Sequence, residues 1–174
     1  TQIVSSISIN QNNGEIEVSE ALQVRKLNLF TQNISNLSGI EYFSNLKELF
    51  CYDSQLTTLN LINNSNLEFL NCNNNDLTSI VLPNSSNLKS LICYGNQLTN
   101  LDLSNQFELV NLECDRNFIS SLNVSNCANL YKLSCSSNQL TSLNISNNIN
   151  LELLYCVSNQ ITNLDITNNS NLSE

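Results

Sequence analysis

Six of the seven cysteines recur at one constant 21-residue spacing, at Cys51, Cys72, Cys93, Cys114, Cys135 and Cys156, and Cys127 alone falls outside the series. Thiols in that number could hold zinc, pair as disulfides or fill a core. Zinc needs close clusters such as C-x-x-C, and even the nearest two cysteines, Cys127 and Cys135, are too far apart in sequence to make one. An odd count leaves one thiol over in any disulfide scheme. The remaining reading is small apolar side chains in a core, with Cys127 expected to be the most accessible thiol. The chain has no His, so imidazole bases, imidazole metal ligands and Ser-His or Cys-His pairs are excluded. Acid pairs such as Glu113 with Asp115 are the only candidates for acid–base work, and they need a pocket to perturb them. Three Gly and one Pro leave no room for a glycine-rich phosphate loop. A net charge of −9 disfavours nucleic acid, because little cationic surface exists to neutralise phosphates.

The elements that position these cysteines follow from the same period. Leu46, Leu67, Leu88, Leu109, Leu130 and Leu151 open six equal 21-residue units over 46–171. Counting each opening Leu as zero, apolar residues fall at offsets 0, 3, 5, 10, 13 and 15 in every unit, with Leu always at 3 and Cys always at 5. The step from 3 to 5 is the alternation of a short strand, not the spacing of a helix. It turns Leu49 and Cys51 inward and Phe50 outward. One unit buries six side chains, worth roughly 9–18 kcal/mol, whereas ordering its backbone costs roughly 20–40 kcal/mol. A lone unit cannot fold, so the units must stack as a solenoid. Neighbouring turns then hold matching cysteines about 4.8 Å apart with parallel Cβ vectors, poor geometry for a disulfide.

Asn makes up 35 of the 174 residues. Two columns account for many of them: offset 8 (Ser54, then Asn75, Asn96, Asn117, Asn138, Asn159) and offset 17 (Asn63, Asn84, Asn105, Asn126, Asn147, Asn168). Tight bends leave backbone groups without strand partners, and an inward amide serves both N–H and C=O. Both columns are therefore expected to face inward as ladders.

The pattern L-x-x-L-x-C-x-x-N-x-L-x-x-L-D-L over 88–103 resembles bacterial leucine-rich repeats, and more narrowly the nested 21-residue IRREKO class. Residues 24–45, with Leu27, Leu29, Ile34 and Phe43, resemble a 22-residue internalin-type unit. The resemblance implies a mostly β leucine-rich repeat solenoid of the α/β repeat class, with short parallel strands and few or no regular helices. It divides the chain into an N-terminal cap (1–23), the internalin-like unit (24–45), six repeats (46–171) and the start of a further repeat (172–174). Thr1 in the place of an initiator Met and the unfinished last unit point to a piece of a longer chain. The combination is similar to surface or secreted repeat proteins of Bacteroidota, which implies an extracellular or cell-surface setting. Residues 10–20 resemble a decayed calcium loop, with Asn10, Asn12 and Glu20 at ligand-like places; so few charged oxygens imply weak or no affinity, and no cofactor is expected. No run of apolar residues reaches the length of a membrane span.

Information for recognition can reside only at the variable offsets 2, 4 and 6, which point out from the first strand. The resemblance implies that partners bind on this sheet face. There Phe50, Tyr52, Phe69, Ile92 and Tyr94 occupy adjoining columns, with Glu113 and Asp115 beside them and Tyr155 near the far end. Two readings stay open for these residues. One is a contact patch for a protein partner of the cell envelope or outer membrane; the other is cross-strand stacking in a spacer that projects another domain.

Overall fold

The computed structural model describes residues 16–30 and 33–173. Among the described residues nine three-residue strands follow one another: β1 Lys26–Asn28, β2 Glu48–Phe50, β3 Thr58–Asn60, β4 Phe69–Asn71, β5 Ser79–Val81, β6 Ser90–Ile92, β7 Asn111–Glu113, β8 Lys132–Ser134 and β9 Leu153–Tyr155. Seven of them form one parallel sheet in the order β1-β2-β4-β6-β7-β8-β9, and β3 pairs with β5 in a second, small sheet. Among the described residues, regular helix is confined to α1 (Val18–Ala21) and a 3-10 turn at Ile40–Tyr42. The expected mostly β parallel solenoid is therefore what the chain forms. Among the described residues no helix is long and apolar enough to cross a membrane.

Register follows the repeat. Leu27 aligns with Leu49, Leu49 with Leu70, and the series continues through Leu91, Leu112 and Leu133 to Leu154. These leucines and the repeat cysteines fill the space between turns, and all of them are fully buried until the last turn. There Leu154, Cys156, Ile161 and Leu164 are only partly covered, because that turn has a neighbour on one side alone. All seven thiols are free.

Each turn bends after its strand at offset 7 with a left-handed residue: Asp53, Asn74, Gly95, Arg116, Ser137 and Ser158 have φ between 50° and 65°. Only one is Gly, and there a Cβ would meet the Asn74 side-chain oxygen at 2.6 Å. In every repeat but the second, which has Val81, the return limb opens at offset 14 with an Asn or Asp side chain that accepts the backbone N–H two positions on, as in Asp102 to Ser104 (2.9 Å), Asn123 to Ser125 (3.0 Å) and Asp165 to Thr167 (2.9 Å). These bonds draw the Asp102 and Asp165 carboxyls below their ordinary range. Two successive tight turns then lead to the next strand, as in Cys127 N–H to Val124 O and Leu130 N–H to Cys127 O.

The Asn columns are half as expected. At offset 8, the Asn117 side-chain oxygen accepts from Leu98 N–H at 3.0 Å, and its amide donates to Cys93 O and Cys114 O at 3.1 Å each. Asn75, Asn96, Asn138 and Asn159 repeat that arrangement turn by turn. Offset 17 is corrected: Asn126, Asn147 and Asn168 are exposed and donate along the surface to Ser104 O, Ser125 O and Ser146 O. The second inward column lies one position later, at offset 18, where Asn64, Asn148 and Asn169 are buried. Each donates to two carbonyls of the turn before, as Asn148 does to Val124 O (3.0 Å) and Cys127 O (2.8 Å).

That column also corrects the reading of Cys127. It stands at offset 18, points into the core and has 0% exposure. Burial pushes its thiol up to about 11, and Cys51 and Cys135 up to about 12. The least covered of the seven is Cys156, in the last turn.

Candidate functional site

The outward residues of the seven-stranded sheet form columns, each fixed by the strand register. At offset 2 stand Lys26, Glu48, Phe69, Ser90, Asn111, Lys132 and Leu153; at offset 4, Asn28, Phe50, Asn71, Ile92, Glu113, Ser134 and Tyr155. The structure brings Phe50 and Phe69 into contact, their ring centroids 5.0 Å apart and planes tilted by 30°. Tyr52 lies on the same end of the sheet but stacks on Phe30, at 5.2 Å and 6°. Lys26 places its ammonium 4.7 Å from the centre of the Phe50 ring and 2.6 Å from a Glu48 oxygen. Phe30 and Lys26 escaped the sequence reading, although a 22-residue step back from Tyr52 and Glu48 reaches them.

The other candidates lie further along. Ile92 aligns with Asn71, so an amide separates it from Phe50. Tyr94 is half-buried two turns beyond Tyr52. Tyr155 and Val157 are 49% and 70% exposed in the last turn, separated from the aromatic group by the polar fourth and fifth repeats. The two acids do not form a pair. Glu113 accepts from Lys132 Nζ at 2.7 Å and from Asn111 Nδ2 at 3.3 Å. Asp115 accepts from Ser134 Oγ at 2.7 Å and from Ser136 N–H at 2.9 Å. Each carboxylate is thus tied to the neighbouring turn. Of the calcium-loop residues, Asn10 and Asn12 lie outside the described residues, and Glu20 accepts the Glu17 N–H at 2.9 Å at the start of α1.

A further feature borders the aromatic group. At offset 1, just before the registered strands, Lys47, Glu68 and Lys89 follow on successive turns. Glu68 holds Lys47 Nζ at 2.6 Å and Lys89 Nζ at 2.9 Å, one with each oxygen. The two ammonium groups pull the Glu68 carboxyl down to about 2. Together with Phe50, Phe69 and Glu48 they line a hollow of about 560 Å³ on the sheet face.

Comparison with known proteins gives the fold a context. No family model matches the chain, and neither does any curated protein. Solved structures do. The functional domain of InlJ from Listeria monocytogenes, which includes a cysteine ladder, is 27% identical with a TM-score of 0.55, over 89% of this chain and 44% of that one. A leucine-rich repeat protein of Leptospira interrogans is 26% identical with a TM-score of 0.76, over 83% of this chain and 40% of that one. The leucine-rich repeat domain of a Shigella effector is 28% identical with a TM-score of 0.67, over 81% and 61%. The chain therefore has the leucine-rich repeat fold, and it spans less than half the length of the first two.

Proposed function

We propose that this solenoid is a non-catalytic protein-interaction module that holds its partner on the outward face of the seven-stranded sheet. The observation that carries the reading is the aromatic group at one end of that face, Phe30, Tyr52, Phe50 and Phe69, set on a rigid backbone. Rigid aromatic surface binds at low entropic cost and dominates interface energies. The likeness to InlJ, to a Leptospira repeat protein and to a Shigella effector domain supports a role in recognition. With the repeat resemblance, it also supports a secreted or cell-surface bacterial protein, of Bacteroidota by its repeat type, facing a partner in the envelope or outside it. An enzymatic role finds little support, since Glu113 and Asp115 are each occupied by hydrogen bonds between turns.

One observation favours the alternative of a spacer. The face is closed by bonds between its own strands, among them Lys26 to Glu48 and Lys132 to Glu113, which stiffen a rod without any partner. A native pull-down with the full-length protein separates the two readings. A stoichiometric partner lost on Phe50→Ser, Tyr52→Ser and Tyr94→Ser together supports binding by the face. No partner supports the spacer, and a partner retained by that variant supports binding through one end of the solenoid instead of the face.

A further inference from the structure

The offset 1 column reads Arg25, Lys47, Glu68, Lys89 across the first four turns: three cations and one anion. Lys26 lies beside it, so four of the chain's six cationic residues gather at one corner of a protein whose net charge is −9. Lys26 is matched by Glu48. Lys47 and Lys89 share the single carboxylate of Glu68 and Glu108 also acts on Lys89, so the one positive charge in excess at this corner is that of Arg25, which donates to Asn45 O. Glu68 also demonstrates the geometry: both ammonium groups can converge on one carboxylate. Directly beside them the hollow is walled by Phe50 and Phe69, with Glu48 and Ser90 completing its lining.

Resting on the sheet-face reading above, we propose that this hollow receives an acidic, apolar segment of the protein partner. A Glu or Asp carboxylate of the segment joins Lys47 and Lys89, and a neighbouring large apolar side chain covers the two phenyl rings. The charge selects a carboxylate: one excess charge is too little to hold a phosphate backbone. The walls select an apolar neighbour, because phenyl rings offer area and no hydrogen bonds. A uronic acid would bring the same carboxylate and could set hydroxyls on Glu48 or Ser90, but it would leave the two phenyl rings without an apolar cover.

The test is an amide NMR titration of the chain with three end-blocked peptides carrying Glu-Phe, Gln-Phe or Glu-Ala in a Gly-Ser frame, and with an oligouronate. Shifts with the Glu-Phe peptide should gather at residues 47–50, 68–69 and 89–90. Removing the charge or the ring from the peptide should weaken binding roughly threefold or more in each case. Glu68→Gln removes the competing carboxylate and should tighten the Glu-Phe peptide, whereas Lys47→Gln with Lys89→Gln should abolish it; circular dichroism checks that each variant is folded. The proposal is overturned by no shifts at the hollow, by Glu68→Gln leaving affinity unchanged or lower, or by the oligouronate binding in preference to the peptides. It also falls alone, with the sheet-face reading intact, if the native partner is lost on the Phe50/Tyr52/Tyr94 substitutions yet kept by the double Lys variant.

Discussion

Replacing Asn117 by Ala removes one rung of the inward amide ladder and so measures what the Asn content does for the fold. The side chain makes three buried bonds: from Leu98 N–H at 3.0 Å, and to Cys93 O and Cys114 O at 3.1 Å each. The two carbonyls keep other partners, since Asn96 donates to Cys93 O and Asn138 to Cys114 O. The Leu98 N–H loses its acceptor in a fully buried bend, a penalty of about 1–3 kcal/mol. The void left by the amide adds about 1 kcal/mol. Asn117→Ala should therefore destabilise the chain by about 2–4 kcal/mol. The control is Asn126→Ala, which removes one exposed bond to Ser104 O and should cost about 0.5 kcal/mol or less. Urea unfolding followed by circular dichroism reads both. Equal losses for the two variants, or a loss below about 0.5 kcal/mol for Asn117→Ala, would refute the claim that inward amides hold the bends.

Leu91 has 0% exposure between two turns, so Leu91→Asp should bury a carboxylate at a cost of several kcal/mol and abolish the cooperative transition seen by circular dichroism on heating. Iodoacetamide labelling of the native chain, mapped by mass spectrometry, should modify Cys156 well before Cys127, whose thiol is buried and pushed up to about 11. Acid should loosen the ion triple: folding lowers the Glu68 carboxyl from its usual 4.5 to about 2, so its stabilising effect is complete above pH 4.5 and disappears as pH falls towards 2. Wild type should accordingly lose stability across that window relative to Glu68→Gln, by an amount that added salt reduces.

The solenoid was legible because burial is periodic. A leucine at offset 3 and a cysteine at offset 5 of every unit leave one way to make strands, and the register from Leu27 to Leu154 follows them. The offset 8 ladder was legible for a related reason, since a bend next to a buried cysteine needs an amide. The second ladder was not. Asn occupies both offsets 17 and 18 in Asn63-Asn64, Asn147-Asn148 and Asn168-Asn169, and a shift of one position decides which turns inward. The invariant column proved to be the exposed one, while the inward column accepts Gln106 and Cys127, and Ser85 at the same offset donates to Ser65 O at the surface. Cys127 was misplaced for the same reason.

At the candidate site, the outward columns followed from alternation alone, which placed Phe50, Phe69 and Tyr52 correctly. The contacts among them did not. Phe30 and Lys26 belong to the longer first turn, one residue out of step with the repeats that follow, so a frame set by those repeats misses them. The ion triple was hidden because offset 1 lies outside the strand alternation. Only the structure shows Glu68 reaching both lysines.

The central claim, that the chain works through its sheet face, is tested most directly by hydroxyl-radical footprinting of the chain alone and with its captured partner. Phe50, Tyr52, Phe69 and Tyr94 should be oxidised more slowly in the complex, while Phe107 and Phe118, exposed outside those columns, keep their rates. Protection of Phe107 and Phe118 with the sheet-face rings unchanged would contradict the account.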